Sequence, residues 1–277
     1  MSVLAELDQI IKILEADLPA NLNSPQSQRL VSQLEKKLSK YFDHLADAFP
    51  YQKIDKIYTK HVKESAGSEA EDILEPILRT FSHELTIALS DSIAQAWLQG
   101  SVEMVTWGKT KAGIPIAYEG PPIDEAVQYA KTYMSKVKLV DGLNATSKKE
   151  LAKVISDGIK NKRGIPGIKS DIRHKFDWMA RGAKSEIPGR TLASRAEMIA
   201  RTETNNALSQ AQLQKMQDMD ITGKEWITAG DDRVSEACLQ NEADGAIPRD
   251  QSFSSGAMAP PEHPNCRCSL APVMLKK

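Results

Sequence analysis

Apolar residues recur at helical spacing through most of this chain. Leu4, Leu7, Ile10, Ile11, Ile13, Leu14 and Leu18 predict a helix over 4–18, broken by Pro19. Leu30, Leu34, Leu38, Tyr41, Phe42, Leu45 and Phe49 predict an amphipathic helix over 26–49, stopped by Pro50. Ile54, Ile57, Tyr58 and Val62 mark a shorter one within 51–65. Ser68 followed by Glu71 has the form of a capping box. Beyond it, Ile73, Ile77, Phe81, Leu85, Leu89, Ile93 and Trp97 recur every fourth residue. A period of four on a 3.6-residue turn shifts the stripe by about 40° per step, so different neighbours are expected along this helix. Pro76 predicts a kink there or a true start near Glu75.

A stretch rich in Gly and Pro, 108–122, interrupts the pattern. Helical spacing resumes over 123–138. Ser147 and Glu150 form a second capping-box pattern ahead of Leu151, Val154, Ile155 and Ile159. Lys162 to Gly167 turns the chain, and Ile168, Ile172, Phe176 and Met179 mark the next helix. A last long helix is predicted over 191–219. From Gly223 the texture changes to short β-like runs divided by turn residues. Lys224–Thr228 is a strand candidate, Gly230–Asp232 a turn, Asp244-Gly245 a hairpin-like break, and Cys266–Leu270 a final short strand. The expected fold is therefore mainly α with a small C-terminal β-rich module, an α+β class with long helices in the N-terminal two-thirds. The expected divisions are a helical region 1–110, a linker 111–122, a second helical part 123–222 and a Cys/His module 223–277.

Composition narrows the function. The chain has 277 residues, and 36 Lys+Arg offset 37 Asp+Glu for a net charge of −1. That balance argues against coating nucleic acid by bulk attraction and leaves only local contact, with Lys160, Lys162, Arg163, Lys169, Arg173, His174 and Lys175 as candidate spots. Aromatics are 5%, so the core must rest on aliphatic residues and Met. No uncharged apolar run reaches the length of about 18 residues needed to span a membrane. The N-terminus carries Glu6, Asp8, Glu15 and Asp17 with no basic stretch, so no secretory signal is expected.

The distinctive chemistry lies near the end. The three cysteines are Cys238, Cys266 and Cys268, with His263 close to the last two. Thiolate and imidazole are the preferred donors of a tetrahedral zinc site, so Cys238, His263, Cys266 and Cys268 are the candidate metal set. A Cys238 disulfide and buried free thiols are the alternatives. Two features weigh against zinc. Ser235 stands where a C-x2-C pair would need a thiolate. The two residues of a C-x-C pair on a strand also point to opposite faces. A second constellation, Arg195 to Asn206, lies on the last long helix. Arg201 is placed to reach the β-segment, for example Asp231 or Asp232. The plainer reading is a solvated helix with incidental ion pairs.

The order of these pieces resembles a known family. Arg195-Ala-x2-Ile199-Ala200-Arg201-Thr202-Glu203-Thr204, then Lys224-Glu225-Trp226, Asp231-Asp232-Arg233-Val234, Asp244-Gly245 and Pro260-Pro261-Glu262-His263-Pro264-Asn265-Cys266-Arg267-Cys268 resemble the phage Mu F-like minor head proteins, a head morphogenesis family. The resemblance covers about residues 145–272. It implies a structural role for Arg195, Arg201, Thr202, Glu203, Trp226, Asp231, Asp232 and Asn265. It implies a non-enzymatic virion protein, assembled in the host cytoplasm. Its partners would be the portal protein and inner capsid shell, with several copies around the portal and a local contact with packaged DNA. Some relatives carry toxin domains behind this module; none is expected here. No catalytic residue and no cofactor follow from it; many members carry a Cys where this chain has Ser235, which weakens zinc, and a structural zinc rests on the four donors alone. The alternative function is a metal-dependent nuclease in which His263 activates water and Asp231 or Asp232 holds the ion.

Overall fold

A computed structural model describes residues 21–60, 67–116, 120–184 and 191–275. The helix expected over 4–18 lies outside them. Among the described residues the chain forms eight helices and two small sheets: α1 (Pro25–Ala48), α2 (Lys53–Lys60), α3 (Gly67–Thr110), α4 (Ile123–Val137), α5 (Leu139–Lys160), α6 (Ile165–Arg181), β1 (Ala183–Lys184), β2 (Thr191–Leu192), α7 (Arg195–Asp218), β3 (Gly223–Ile227), α8 (Glu236–Ala243), β4 (Ile247–Pro248) and β5 (Ser269–Val273). The class is mainly α with a small C-terminal β module.

The chain divides into two compact units, both discontinuous in sequence. One comprises Leu34–Ser90 and Lys131–Glu197. Its buried side chains are mostly apolar, among them Leu38, Phe42, Leu45, Ile54, Leu74, Leu85, Leu151, Ile155, Ile172 and Phe176. Phe49 meets Phe176 edge to face at 5.9 Å. Helices α5 and α6 touch where Gly158 faces Ile168, and a Cβ at Gly158 would lie 2.7 Å from the Ile168 side chain. A polar thread crosses this unit: Tyr41 Oη donates to Asn144 Oδ1 at 2.9 Å, and Asn144 Nδ2 donates to Ser82 Oγ at 2.9 Å.

The other unit comprises Met1–Gln33, Asp91–Ala130 and Met198–Lys277. Gly100 lets two helices approach closely, because a Cβ there would lie 2.8 Å from the Leu208 carbonyl oxygen. Its three-stranded sheet has order β4–β3–β5, all antiparallel, with Trp226 opposite Leu270 and Ile227 opposite Ser269. Alternation along β3 puts Lys224 and Trp226 on one face, and both are fully buried. Trp226 meets Phe253 edge to face at 5.2 Å. Around it gather Met104, Met216, Ile221, Leu270 and all three cysteines.

Several expectations need correction. Helix α3 runs through Pro76 from Gly67, so it does not start near Glu75, and Ser68 lies inside it. A proline removes one backbone hydrogen bond, and a 44-residue helix absorbs that loss. In its first part the buried positions are Ala70, Leu74 and Leu78, one residue off the expected stripe. Its residues up to Ser90 belong to one unit and those from Asp91 to the other, so its neighbours do change along its length. Ser147 caps nothing: it is buried within α5, and its hydroxyl donates back to the Leu143 carbonyl at 2.8 Å. The final long helix starts at Arg195 because Ser194 Oγ accepts from the Glu197 N–H at 2.8 Å. Asp244-Gly245 is not a hairpin turn but the end of α8, an unforeseen helix. Cys266 to Cys268 precede strand β5 instead of forming it.

Candidate functional site

Ser235 opens the site. It is the N-cap of α8, its hydroxyl accepting from the Cys238 N–H at 3.3 Å. The residue that stands where a thiolate might have been is thus fully used as a cap, and it sets Cys238 on the first turn, facing inward and buried. Across from it, residues 260–268 form an irregular loop in which Asn265 adopts a left-handed φ of 65°.

Helix α7 holds that loop through a polar face. Arg201 donates to Asn265 Oδ1, and Thr202 Oγ1 accepts from the Asn265 N–H at 2.9 Å. Asn205 Nδ2 donates to the carbonyls of Cys266 at 3.3 Å and Cys268 at 3.1 Å. Gln212 Nε2 donates to the Leu270 carbonyl at 3.3 Å. Asn205 and Gln212 are seven residues apart, two turns along one face, and both are buried. These two residues were missed from sequence. The signal was the polar spacing Thr202, Asn205, Ser209, Gln212, a helical stripe without apolar members.

The predicted site residues come together in part. Cys238 Sγ lies 3.5 Å from His263 Nε2 and 3.8 Å from Cys266 Sγ. Donor atoms of Cys238, His263 and Cys266 all lie within 4.8 Å of one another, a set able to hold a metal ion. Cys268 is buried in the same cluster as Cys266 and Trp226, whose indole nitrogen has no hydrogen-bond partner among the described residues. His263 Nδ1 pairs with the Pro264 carbonyl at 2.9 Å, which leaves Nε2 bare toward Cys238. The Cys266 thiol is pulled down to about 5, chiefly by hydrogen bonding from Cys268, with the backbone N–H groups of Cys268 and Glu262 adding to it. Burial pushes the Cys238 thiol up, and hydrogen bonding with Cys266 together with burial pushes Cys268 up.

Arg201 reaches Asn265, whereas Asp231 is gripped by Arg267, between the two cysteines, through contacts of 2.5 and 2.6 Å. That guanidinium holds the Asp231 carboxyl far below the usual range. Asp231 also accepts from the Arg233 N–H at 3.0 Å, closing the turn. Asp232 is exposed beside it, and Glu203 is buried on α7. Arg195 belongs to the other unit, where it is buried and donates to Glu150 Oε1 at 2.9 Å. The candidate basic spots in that unit are interleaved with acids: Arg163 with Asp171, Lys169 with Asp55 and Lys175 with Glu150, while Arg173 lies 4.7 Å over the Tyr51 ring.

The fold and this site define a mainly helical protein whose small terminal module is organised by buried polar groups, thiols and an imidazole. Residues 145–271 match the family model described as phage Mu protein F like protein, and over them the chain carries a Mu F-like region. That family is one of bacteriophage head morphogenesis. No curated protein and no solved structure matches the chain. No helix among the described residues is long and apolar enough to cross a membrane.

Proposed function

We propose that this chain is a non-enzymatic minor head protein. It docks near the portal vertex, in several copies around the portal axis and against the inner shell, and assists head assembly and the packaging or ejection of the genome. The observation that carries this reading is the family match, whose span contains the whole Thr202–Asn205–Gln212 clamp and the donor cluster. Two further features support attachment over turnover. Both His263 ring nitrogens face Cys238 and Pro264, and Asp231 is engaged by Arg267, so the groups a nuclease would aim at a phosphate are turned to partners within the module. Three of the basic residues weighed for DNA, Arg163, Lys169 and Lys175, are paired with acids, which favours protein contacts over a broad DNA contact.

Purified heads analysed by mass spectrometry and chemical cross-linking test this. The expected result is the chain present at low copy with cross-links to the portal protein. Heads lacking the chain overturn it. So does plasmid cleavage by the purified chain with Mg²⁺, Mn²⁺ or Zn²⁺ that His263→Ala abolishes.

A further inference from the structure

Zinc held tetrahedrally, with Zn–S bonds of about 2.3 Å and Zn–N bonds of about 2.0–2.1 Å, sets sulfur–sulfur edges of roughly 3.8 Å and sulfur–nitrogen edges of roughly 3.6 Å. The Cys238–Cys266 sulfurs are 3.8 Å apart, and Cys238 Sγ is 3.5 Å from His263 Nε2. Two edges of the tetrahedron are already drawn at the right lengths. We propose that Cys238, His263 and Cys266 bind one zinc ion, with Cys268 closing the site as the fourth donor.

The surroundings of each donor fit this assignment. The Nδ1–Pro264 hydrogen bond fixes the imidazole tautomer that leaves Nε2 as a lone-pair donor. Cys238 is held on a capped first helical turn. Because Cys266 and Cys268 precede β5, strand alternation does not force their side chains to opposite faces. Asn265 in the left-handed region bends the loop between His263 and the cysteines, and Arg201, Thr202 and Asn205 hold that bend. These three are positioning residues for the donors. Three thiolates and a neutral imidazole around Zn²⁺ carry one net negative charge. Arg267 lies close enough to Cys266 and Cys268 to feel their charge and so offsets it. His263 is half-buried, which gives an ion a way in. Each thiol releases its proton to solvent as the ion binds.

The full chain, purified without chelator, is first weighed by native mass spectrometry. One zinc per chain is expected. A metal-free chain that also fails to take up added Zn²⁺ overturns the proposal, as does a mass two hydrogens low from a Cys–Cys disulfide. Co²⁺ is then exchanged in, and the visible bands of tetrahedral Co²⁺ with a sulfur-to-cobalt charge-transfer band are expected. In Cys268→Ser that charge-transfer band falls by about a third, as one thiolate of three is lost. An unchanged band removes Cys268 from the ligand set. Should Cys268→Ser not fold, X-ray absorption on the zinc-loaded wild type decides the same point: three sulfurs and one nitrogen are expected, and a shell with fewer than three sulfurs overturns the assignment.

Discussion

The two units of this protein reach order by different means. Among the buried polar side chains of the described residues, Ser147, Ser194 and Arg195 belong to the unit of 34–90 and 131–197, and the other twelve belong to the unit that contains the sheet. The first is filled with Leu, Ile and Phe, and such a core is specified by volume and pattern. The second buries Asn205, Ser209, Gln212, Lys224 and Asn241, each of which needs particular partners in particular places. An apolar core tolerates a residue of similar size. A polar one does not, because replacing a donor strands its acceptor.

The largest test of that contrast removes the one ring shared by sheet and thiols. Trp226→Ala is expected to cost about 3–5 kcal/mol. Hydrogen exchange should speed up across residues 223–273, with the amides of 34–60 as an internal reference. Unchanged protection in the sheet would show that its order does not depend on this ring.

A pair of shape-conserving changes sharpens the comparison. Leu38→Met, fully buried in the apolar unit, should cost under about 1.5 kcal/mol in urea unfolding. Asn205→Leu, of similar volume, strands the carbonyls of Cys266 and Cys268 and should cost about 2–4 kcal/mol. Equal costs for the two would erase the distinction drawn here.

A further test is a pH dependence spread over more than two pH units. Burial pushes Lys224 down to about 8, although its ammonium donates to the Met258 carbonyl at 2.8 Å and lies 5.2 Å from the Phe253 ring. Between pH 8 and about 10.5 the unfolded chain holds this proton and the folded chain does not, so stability rises with pH through that window. The gain is of the order of 2–3 kcal/mol. Below pH 8 both states are protonated and the penalty is constant. Lys224→Met should flatten the slope; a slope that persists in this variant assigns the titration to another group.

Hydrophobic spacing made most of the helices legible because they bury apolar stripes: α1, α2, α6 and the body of α3 follow directly from it. It misplaced what polar groups decide. Ser147 reads as a cap by its spacing to Glu150, yet the hydroxyl is satisfied within its own helix and Glu150 is spoken for by Arg195 and Lys175. Ser235 reads as a missing metal ligand, yet it starts α8. At the site, the donor residues were visible as residue types near one another in the chain. Asn205 and Gln212 were not, since a helix face that is both buried and polar has no periodic apolar signal to betray it. Arg267 was passed over because only the folded loop shows it reaching back to Asp231.

The polar face of α7 carries one further consequence. Seven helical residues rise about 10.5 Å. Asn205 grips the carbonyls on either side of Arg267, and Gln212, two turns on, grips that of Leu270, the second residue of β5. Helix and loop therefore march in step like matched rulers, each graduation of one set against a graduation of the other. A single residue inserted between Asn205 and Gln212 would swing the second mark about 100° out of line. The spacing of that stretch is consequently as much a part of the module's specification as the identity of its residues.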